Sequence, residues 1–277
     1  MSLSILNNIP SLQAQNSLRM TGASLSQTLE ALSSGQRINS GADDAAGLAI
    51  ANGLQANVTA LTQSVRNATD GVGMLQVADG ALSQITSLLN RAVTLATESS
   101  TGTVSDSQRG ALQAEFASIQ TEITTIGTNT TYNGQAIFGA TAALTVFMSD
   151  SSSVGTSSVS VTMGQVDDAN LNGSDISGDD LSTATGAQAA LTDINAAIAN
   201  IAALRGNLGA TSNQLQAASN VMNNQISNLT GAEDGIMSAD IGAESASLAK
   251  YSILQQTGIA ALSQANQMQQ SVLKLLQ

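Results

Sequence analysis

Apolar residues recur along this chain in three rhythms. Leu112, Phe116, Ile119, Ile123 and Ile126 follow a four-three-four-three spacing, which puts them on one face of an α-helix. Leu191, Ile194, Ile198, Ile201, Leu204 and Leu208 repeat it, and Leu215, Met222, Ile226 and Leu229 extend it. An earlier helix is expected from about Asp43 to Glu98 through Leu54, Leu61, Leu75, Leu82 and Leu89, with Gly71, Gly73 and Gly80 as places to bend or interrupt it. Ser105 or Ser107 would cap the helix that follows. The second rhythm is strict alternation. Leu144, Val146 and Met148, then Val159, Val161 and Met163, flank SDSSSVGTSS and read as a β-hairpin. Asn133-Gly134 is a tight-turn signal, and the acidic, Gly/Ser-rich stretch 164–186 reads as a surface loop or short strands.

The third rhythm is a heptad, and it occurs at both ends. Leu18, Leu25 and Leu32 lie seven residues apart with Leu29 between them, an a/d seam over two heptads. Leu254, Ala261, Met268 and Leu275 repeat at seven, with Ala265 and Val272 between them and a second line, Ile259, Leu262, Leu273 and Leu276, alongside. Thr230 to Asp234 is expected to break the preceding helix. The apolar face of the last segment is too wide for one partner helix, and surface of that kind marks an assembly interface. The interface is expected at Leu18, Leu25, Leu29, Leu32, Leu254, Met268, Val272 and Leu275, with Arg37, Asn39, Asp43 and Asp44 in the connector. The ends are expected to order on polymerisation.

The fold expected from these rhythms is mainly α: a long-helix coiled coil or bundle formed by the N- and C-terminal segments, with a small β-hairpin region in the middle. Its parts are an inner helix (1–33), a connector (34–46), the outer helical core (47–136), hairpin and loops (137–185), the returning core (186–235) and a C-terminal inner helix (236–277).

Composition narrows the function. Of 277 residues only 2% are aromatic and one is proline, so Leu, Ile, Val and Ala must build the core in close-packed helices. A net charge of −12 with eight Lys and Arg opposes binding to nucleic acid. Cys and His are both absent, which removes disulfides, thiolate metal sites and the commonest general base. No serine elbow or phosphate loop is present, so no enzyme and no cofactor are expected. Asp43-Asp44 and Asp179-Asp180 read as a helix start and a polar loop rather than as metal sites. No apolar run is long enough for membrane insertion. The N-terminus lacks the basic region of a cleavable signal, so the chain is expected to be soluble or exported by a route that reads none.

The densest charge and glycine lie in SSGQRINSGADDAAG, Ser33 to Gly47. Gly35 and Gly41 are expected to supply positive φ there, Asp43 and Asp44 to cap the next helix, and Arg37 to pair with an acid, those two being the local candidates.

Leu32 to Ile50, LSSGQRINSGADDAAGLAI, closely resembles the N-terminal signature of bacterial flagellins. RGALQAEF, TEI and NTTYNGQAIF within Gln108 to Phe138, RGNLGATSN from Arg205, LSQANQ from Leu262 and VLKLL from Val272 resemble later motifs of that family, in the same order. Ser238 stands where the family usually has Asp, and the short middle leaves room for little or no outer domain. The resemblance implies a subunit that polymerises into the extracellular flagellar filament for swimming motility. It would be secreted unfolded through the flagellar type III apparatus and assemble beneath the cap protein onto the hook-junction proteins. It further implies an export chaperone on the last helix, with Ile259, Leu262, Val272, Leu273 and Leu276 as contacts. In some flagellins a host innate immune receptor reads the first long helix; Arg91, Leu95 and Glu115 match that surface, while Val93 and Thr94 replace charged residues. A hook–filament junction protein shares the terminal helices, and a surface-exposed binding protein on the same scaffold would place its site in Tyr132 to Gly186. The two terminal signatures favour the filament subunit over both.

Overall fold

The computed structural model describes residues 8–139, 143–149 and 158–275; the side chains of 269 and of 272 onward lie outside the description. Five helices dominate: α1 (Ile9–Ser34), α2 (Ala45–Ser99), α3 (Asp106–Asn129), α4 (Ala184–Met237) and α5 (Ile241–Leu275). Two antiparallel pairs, β1 (Thr131–Tyr132) with β2 (Gln135–Ala136) and β3 (Ala143–Phe147) with β4 (Ser158–Thr162), lie between α3 and α4. The chain divides into a unit of residues 1–56 and 228–277 and a unit of residues 57–227.

Unit 57–227 holds a continuous aliphatic core. Leu75, Leu82, Ile85, Leu89 and Leu95 of α2, Phe116 and Ile123 of α3, and Ile194, Ile201 and Leu215 of α4 are buried. Phe116 is the largest of these side chains, so close aliphatic packing does the work usually shared with rings. With few charges, the polar faces of α2 and α3 use hydroxyls. Thr62 donates to the Val58 carbonyl at 2.7 Å, Thr86 to Leu82 at 2.7 Å and Thr121 to Ala117 at 2.9 Å. Each hydroxyl is satisfied within its own helix.

Helix ends follow local chemistry. Ser105 caps α3, and Ser105 and Gln108 form a reciprocal capping box. α2 runs unbroken through Gly71, Gly73 and Gly80. Gly71 is needed as glycine: a Cβ there would come within 2.7 Å of Val146 and 3.2 Å of Leu215. α4 likewise continues through Thr230 to Asp234 to Met237, because exposed Thr and Gly lower helix propensity without ending a helix whose other positions are favourable.

The hairpin register is Leu144 opposite Val161 and Val146 opposite Val159. Val146, Met148, Val159, Val161 and Met163 point inward, as alternation requires. Much of the stretch expected to join these strands, 149–158, falls outside the described residues. The β1–β2 turn has positive φ at both Asn133 and Gly134, the signature of a type I′ hairpin.

The stretch 164–186 is not a plain surface loop. Val166, Leu171, Ile176 and Leu181 are buried. Polar side chains of α2 and α3 hold its backbone: Ser99 donates to the Leu181 carbonyl at 2.5 Å, Gln113 accepts from Leu181 N–H at 2.6 Å, and Gln120 donates to the Ile176 carbonyl. Thr124 donates to Asp168 at 2.8 Å and accepts from its N–H at 3.1 Å.

Candidate assembly surface

In unit 1–56 with 228–277, α1 and α5 pair antiparallel. Asn8 caps α1 through Ser11 N–H and donates to the Ala265 carbonyl at 3.2 Å, and Ser11 donates to Asn266 at 3.1 Å. Further along, Leu18 sits over Gly258, where an added Cβ would lie 3.1 Å from it. On α1 the less exposed positions include the line Ser11, Ala14, Leu18, Thr21, Leu25, Thr28 and Leu32, with Gly22, Ser24 and Ala31 beside it; on α5 they include the line Leu248, Tyr251, Gln255, Gly258, Leu262 and Ala265, with Glu244, Ser247 and Ser252 beside it. Both lines step by three and four, the geometry of knobs-into-holes pairing.

That seam explains the leucines seven apart and corrects the residues between them. Leu18, Leu25 and Leu32 belong to it, but Leu29 is exposed and Thr28 is buried in its place. Small Thr and Ala at the second heptad position let the two backbones approach. On α5 the line Leu254, Ala261 and Met268 lies outside the seam. Leu254 is 43% exposed, Ile253 60%, Ile259 56% and Met268 52%. Ile9, Leu12 and Met20 of α1 are also exposed. Among the described residues α5 has no fully buried side chain. Val272, Leu273 and Leu275 fall in the helix with their side chains outside the description, and Leu276 lies outside the described residues.

The connector is closed by backbone bonds to the α4–α5 junction. Gly35 takes φ +70 and its N–H returns to the Ala31 carbonyl, ending α1 in the left-handed conformation. Arg37 N–H then donates to the Met237 carbonyl at 2.6 Å, and Ala239 N–H to Gly35 at 3.0 Å, pairing Gln36 with Ser238. Ser238 thus lies in a backbone pairing, while Asp240 starts α5 by accepting from Gly242 and Ala243 N–H. Gly41, in contrast to the expectation, has no positive φ.

The two aspartates divide their work. Asp44 accepts from Gly47 N–H at 2.8 Å, at the N-terminus of α2. Asp43 instead accepts from the N–H groups of Asn39 and Ser40 and from the Ser40 hydroxyl. The Ser40 hydrogen bonds hold its carboxyl below the usual range. Asn39 donates to the Gln36 carbonyl at 3.2 Å. Arg37 donates to the Ile236 carbonyl at 2.8 Å and stands 3.9 Å from Asp44, so its close partner is a carbonyl and the acid is secondary. Gly47 must be glycine, since a Cβ would fall 2.7 Å from buried Ile38.

Arg91 and Glu115 form an exposed ion pair at 2.7 Å between α2 and α3. Their hydrogen bond lowers the Glu115 carboxyl and raises the Arg91 guanidinium. Leu95 is buried in the core, so it is not a surface contact; the helical rhythm that places it near Arg91 in sequence turns it inward. Two arginines lie outside every apolar rhythm. Arg109 is buried and donates to the carbonyls of Ser99, Thr101 and Val104 at 2.9, 2.6 and 2.6 Å, organising the α2–α3 turn. Arg205 grips Asp79 through Nε at 2.7 Å and Nη2 at 3.3 Å.

An open groove of about 720 Å³ runs between α2 and the two hairpins, past Asn67, Asp70, Tyr132 and Phe147. Among the described residues no group of three His, Cys, Asp or Glu is placed to hold a metal, and no helix is long and apolar enough to cross a membrane.

The bacterial flagellin N-terminal helical region matches residues 5–143, and the bacterial flagellin C-terminal helical region matches residues 191–276. Flagellin of Listeria monocytogenes is 34% identical over 99% of this chain and 99% of its own length. The B-type flagellin of Pseudomonas aeruginosa is 40% identical over 58% of this chain and 33% of its own. A crystal structure of Bacillus cereus flagellin covers 56% of this chain and 88% of that one, at TM-score 0.49 and 24% identity. With both helical regions matched in order, and a relative aligned from end to end, the chain belongs to the bacterial flagellin family and is a structural subunit of the flagellar filament.

Proposed function

We propose that α1 and α5 are the polymerising elements, and that the line of α5 left outside the α1 seam is the surface neighbouring subunits cover. The carrying observation is that Ile253, Leu254, Ile259 and Met268 stay exposed although α5 already has a partner helix. Apolar surface left beyond one seam marks a site for further contacts, and the family's filament supplies other subunits to make them. Within this reading the parts keep the limits expected from the sequence: 1–33 and 236–277 as inner helices, 34–46 as the joint between subunits, 47–136 and 186–235 as the outer helical core, and 137–185 as its hairpin face. Leu18, Leu25 and Leu32 set the register of α1 on α5, and Leu29, Leu254, Met268, Val272 and Leu275 meet neighbours. Arg37, Asn39, Asp43 and Asp44 hold the joint in shape.

Family membership implies a structural rather than a catalytic role. The remaining partners are part of the proposal. An export chaperone takes Ile259, Leu262, Val272, Leu273 and Leu276 before α5 pairs with α1, because Leu262 is half-covered once the seam forms. The subunit is secreted, then docks beneath a cap and onto junction proteins. Arg91 and Glu115 are what remains of the candidate immune-receptor surface.

Seeded polymerisation followed by electron microscopy tests the central reading. Leu254→Asp with Met268→Asp is expected to leave monomer helicity unchanged by circular dichroism and to abolish long filaments. Filaments of normal length and yield from that variant would refute the assignment of this face.

A further inference from the structure

Charge in the unit of residues 1–56 and 228–277 is sorted by position. Every acidic side chain lies in 30–44 or 233–244, and every basic one except Arg37 lies outside those stretches. The pairing of Gln36 with Ser238 brings the two acidic stretches to one end of the α1–α5 pair. Arg19 follows Leu18, which sits over Gly258, well along the pair from that end. Each subunit therefore carries an acidic joint and a basic stretch of helix.

On α1 both signs share one face. Arg19 and Glu30 are about three helical turns apart at ~3.6 residues per turn, and Leu12 lies about two turns before Arg19 on the same side. All three are exposed, and the seam of Leu18, Leu25 and Thr28 points elsewhere. Neither charge is answered within its own subunit. Among the described residues Arg37, Arg91, Arg109 and Arg205 stand in ion pairs, and Arg19 and Glu30 do not. Three turns put them ~16 Å apart along the axis, beyond the roughly 10 Å over which exposed charges act at 0.1 M salt.

We infer that Arg19 of one subunit pairs with Glu30 of a second copy displaced along the α1 axis by ~16 Å, so that charge sets the register in which neighbours meet. This rests on the reading that α1 and α5 polymerise, and adds what fixes their stagger. Subunits repeating along a filament keep their α1 helices parallel. Neighbours in register would set Arg19 against Arg19 and Glu30 against Glu30, which repel. The stagger replaces both repulsions with an attraction. It also makes the contact heterologous: each copy gives its cation to one neighbour and its acid to another, and such a contact continues rather than closes. Leu12 on the same face brings apolar surface beside the pair, and excluding water there strengthens the attraction.

Seeded polymerisation in about 0.1 M NaCl, scored by critical concentration and electron microscopy, tests this. Arg19→Glu and Glu30→Arg are each expected to raise the critical concentration roughly tenfold, with monomer helicity unchanged by circular dichroism. An equimolar mixture of the two should recover filaments, since each supplies the charge the other lacks. The double variant should form filaments alone near the wild-type concentration, yet fail to extend wild-type seeds, where like charges would meet. Single variants that assemble like wild type overturn the pairing. So does a folded double variant that forms only closed dimers, or nothing. If the charge variants assemble like wild type while Leu254→Asp with Met268→Asp abolishes filaments, the register falls alone; if that variant also assembles normally, the assignment of the apolar face falls with it.

Discussion

The unit of residues 57–227 and the unit that joins both chain ends use similar residues for opposite purposes. The former turns most of its large apolar side chains inward: Leu82, Ile85, Leu89, Phe116 and Ile123 are all at 0% exposure, with Val77, Phe147 and Val221 as exposed exceptions. The latter has a narrow seam of Thr, Ala, Gly and half-covered Leu, and leaves several of its large apolar side chains in the open. One is a finished core. The other is closed along one seam and leaves a second apolar line exposed. Burial, not composition, separates a unit complete in itself from one that, in the reading proposed above, is completed by its neighbours.

Substitutions can break that contrast, and their expected effects on the isolated subunit fall in a definite order. Phe116→Ala empties the centre of the 57–227 core and should destabilise it by about 3–5 kcal/mol; urea unfolding followed by helicity measures this. Arg109→Ala strands three carbonyls and should cost about 2–4 kcal/mol, with faster exchange at the turn 100–105. Gly258→Val pushes α5 off Leu18 and should cost about 1–2 kcal/mol, seen as faster exchange of α1 while the Phe116 region is unchanged. Leu254→Ala should change folding by less than about 0.5 kcal/mol yet raise the critical concentration for polymerisation. If Leu254→Ala instead destabilised the monomer as Phe116→Ala does, the two units would not differ as described.

Much of this fold was readable because periodicity reports on packing. The stripe Leu112, Phe116, Ile119, Ile123 announced α3, and alternation at Val159, Val161 and Met163 announced β4. Periodicity was blind to two things. It could not separate Leu29 from Thr28, because a heptad of small polar residues with a close partner helix buries threonine as readily as leucine. Nor could it see the packing of 164–183, which depends on single side chains, Ser99, Gln113, Gln120 and Thr124, bonding to a distant backbone. Such bonds leave no repeat. Leu95 shows a third limit: a motif match gives position along the chain, and only burial tells which way the side chain turns. The connector's chemistry was partly visible, with Gly35 at its positive φ, but the carbonyl partner of Arg37 lies 199 residues away.

The pairing of Asn8 with Ala265 spans 257 residues. The closure cost of so long a loop grows only slowly with its length and falls as the segments between become ordered. α1 is made long before α5, and through all the synthesis between them it is a helix without its mate.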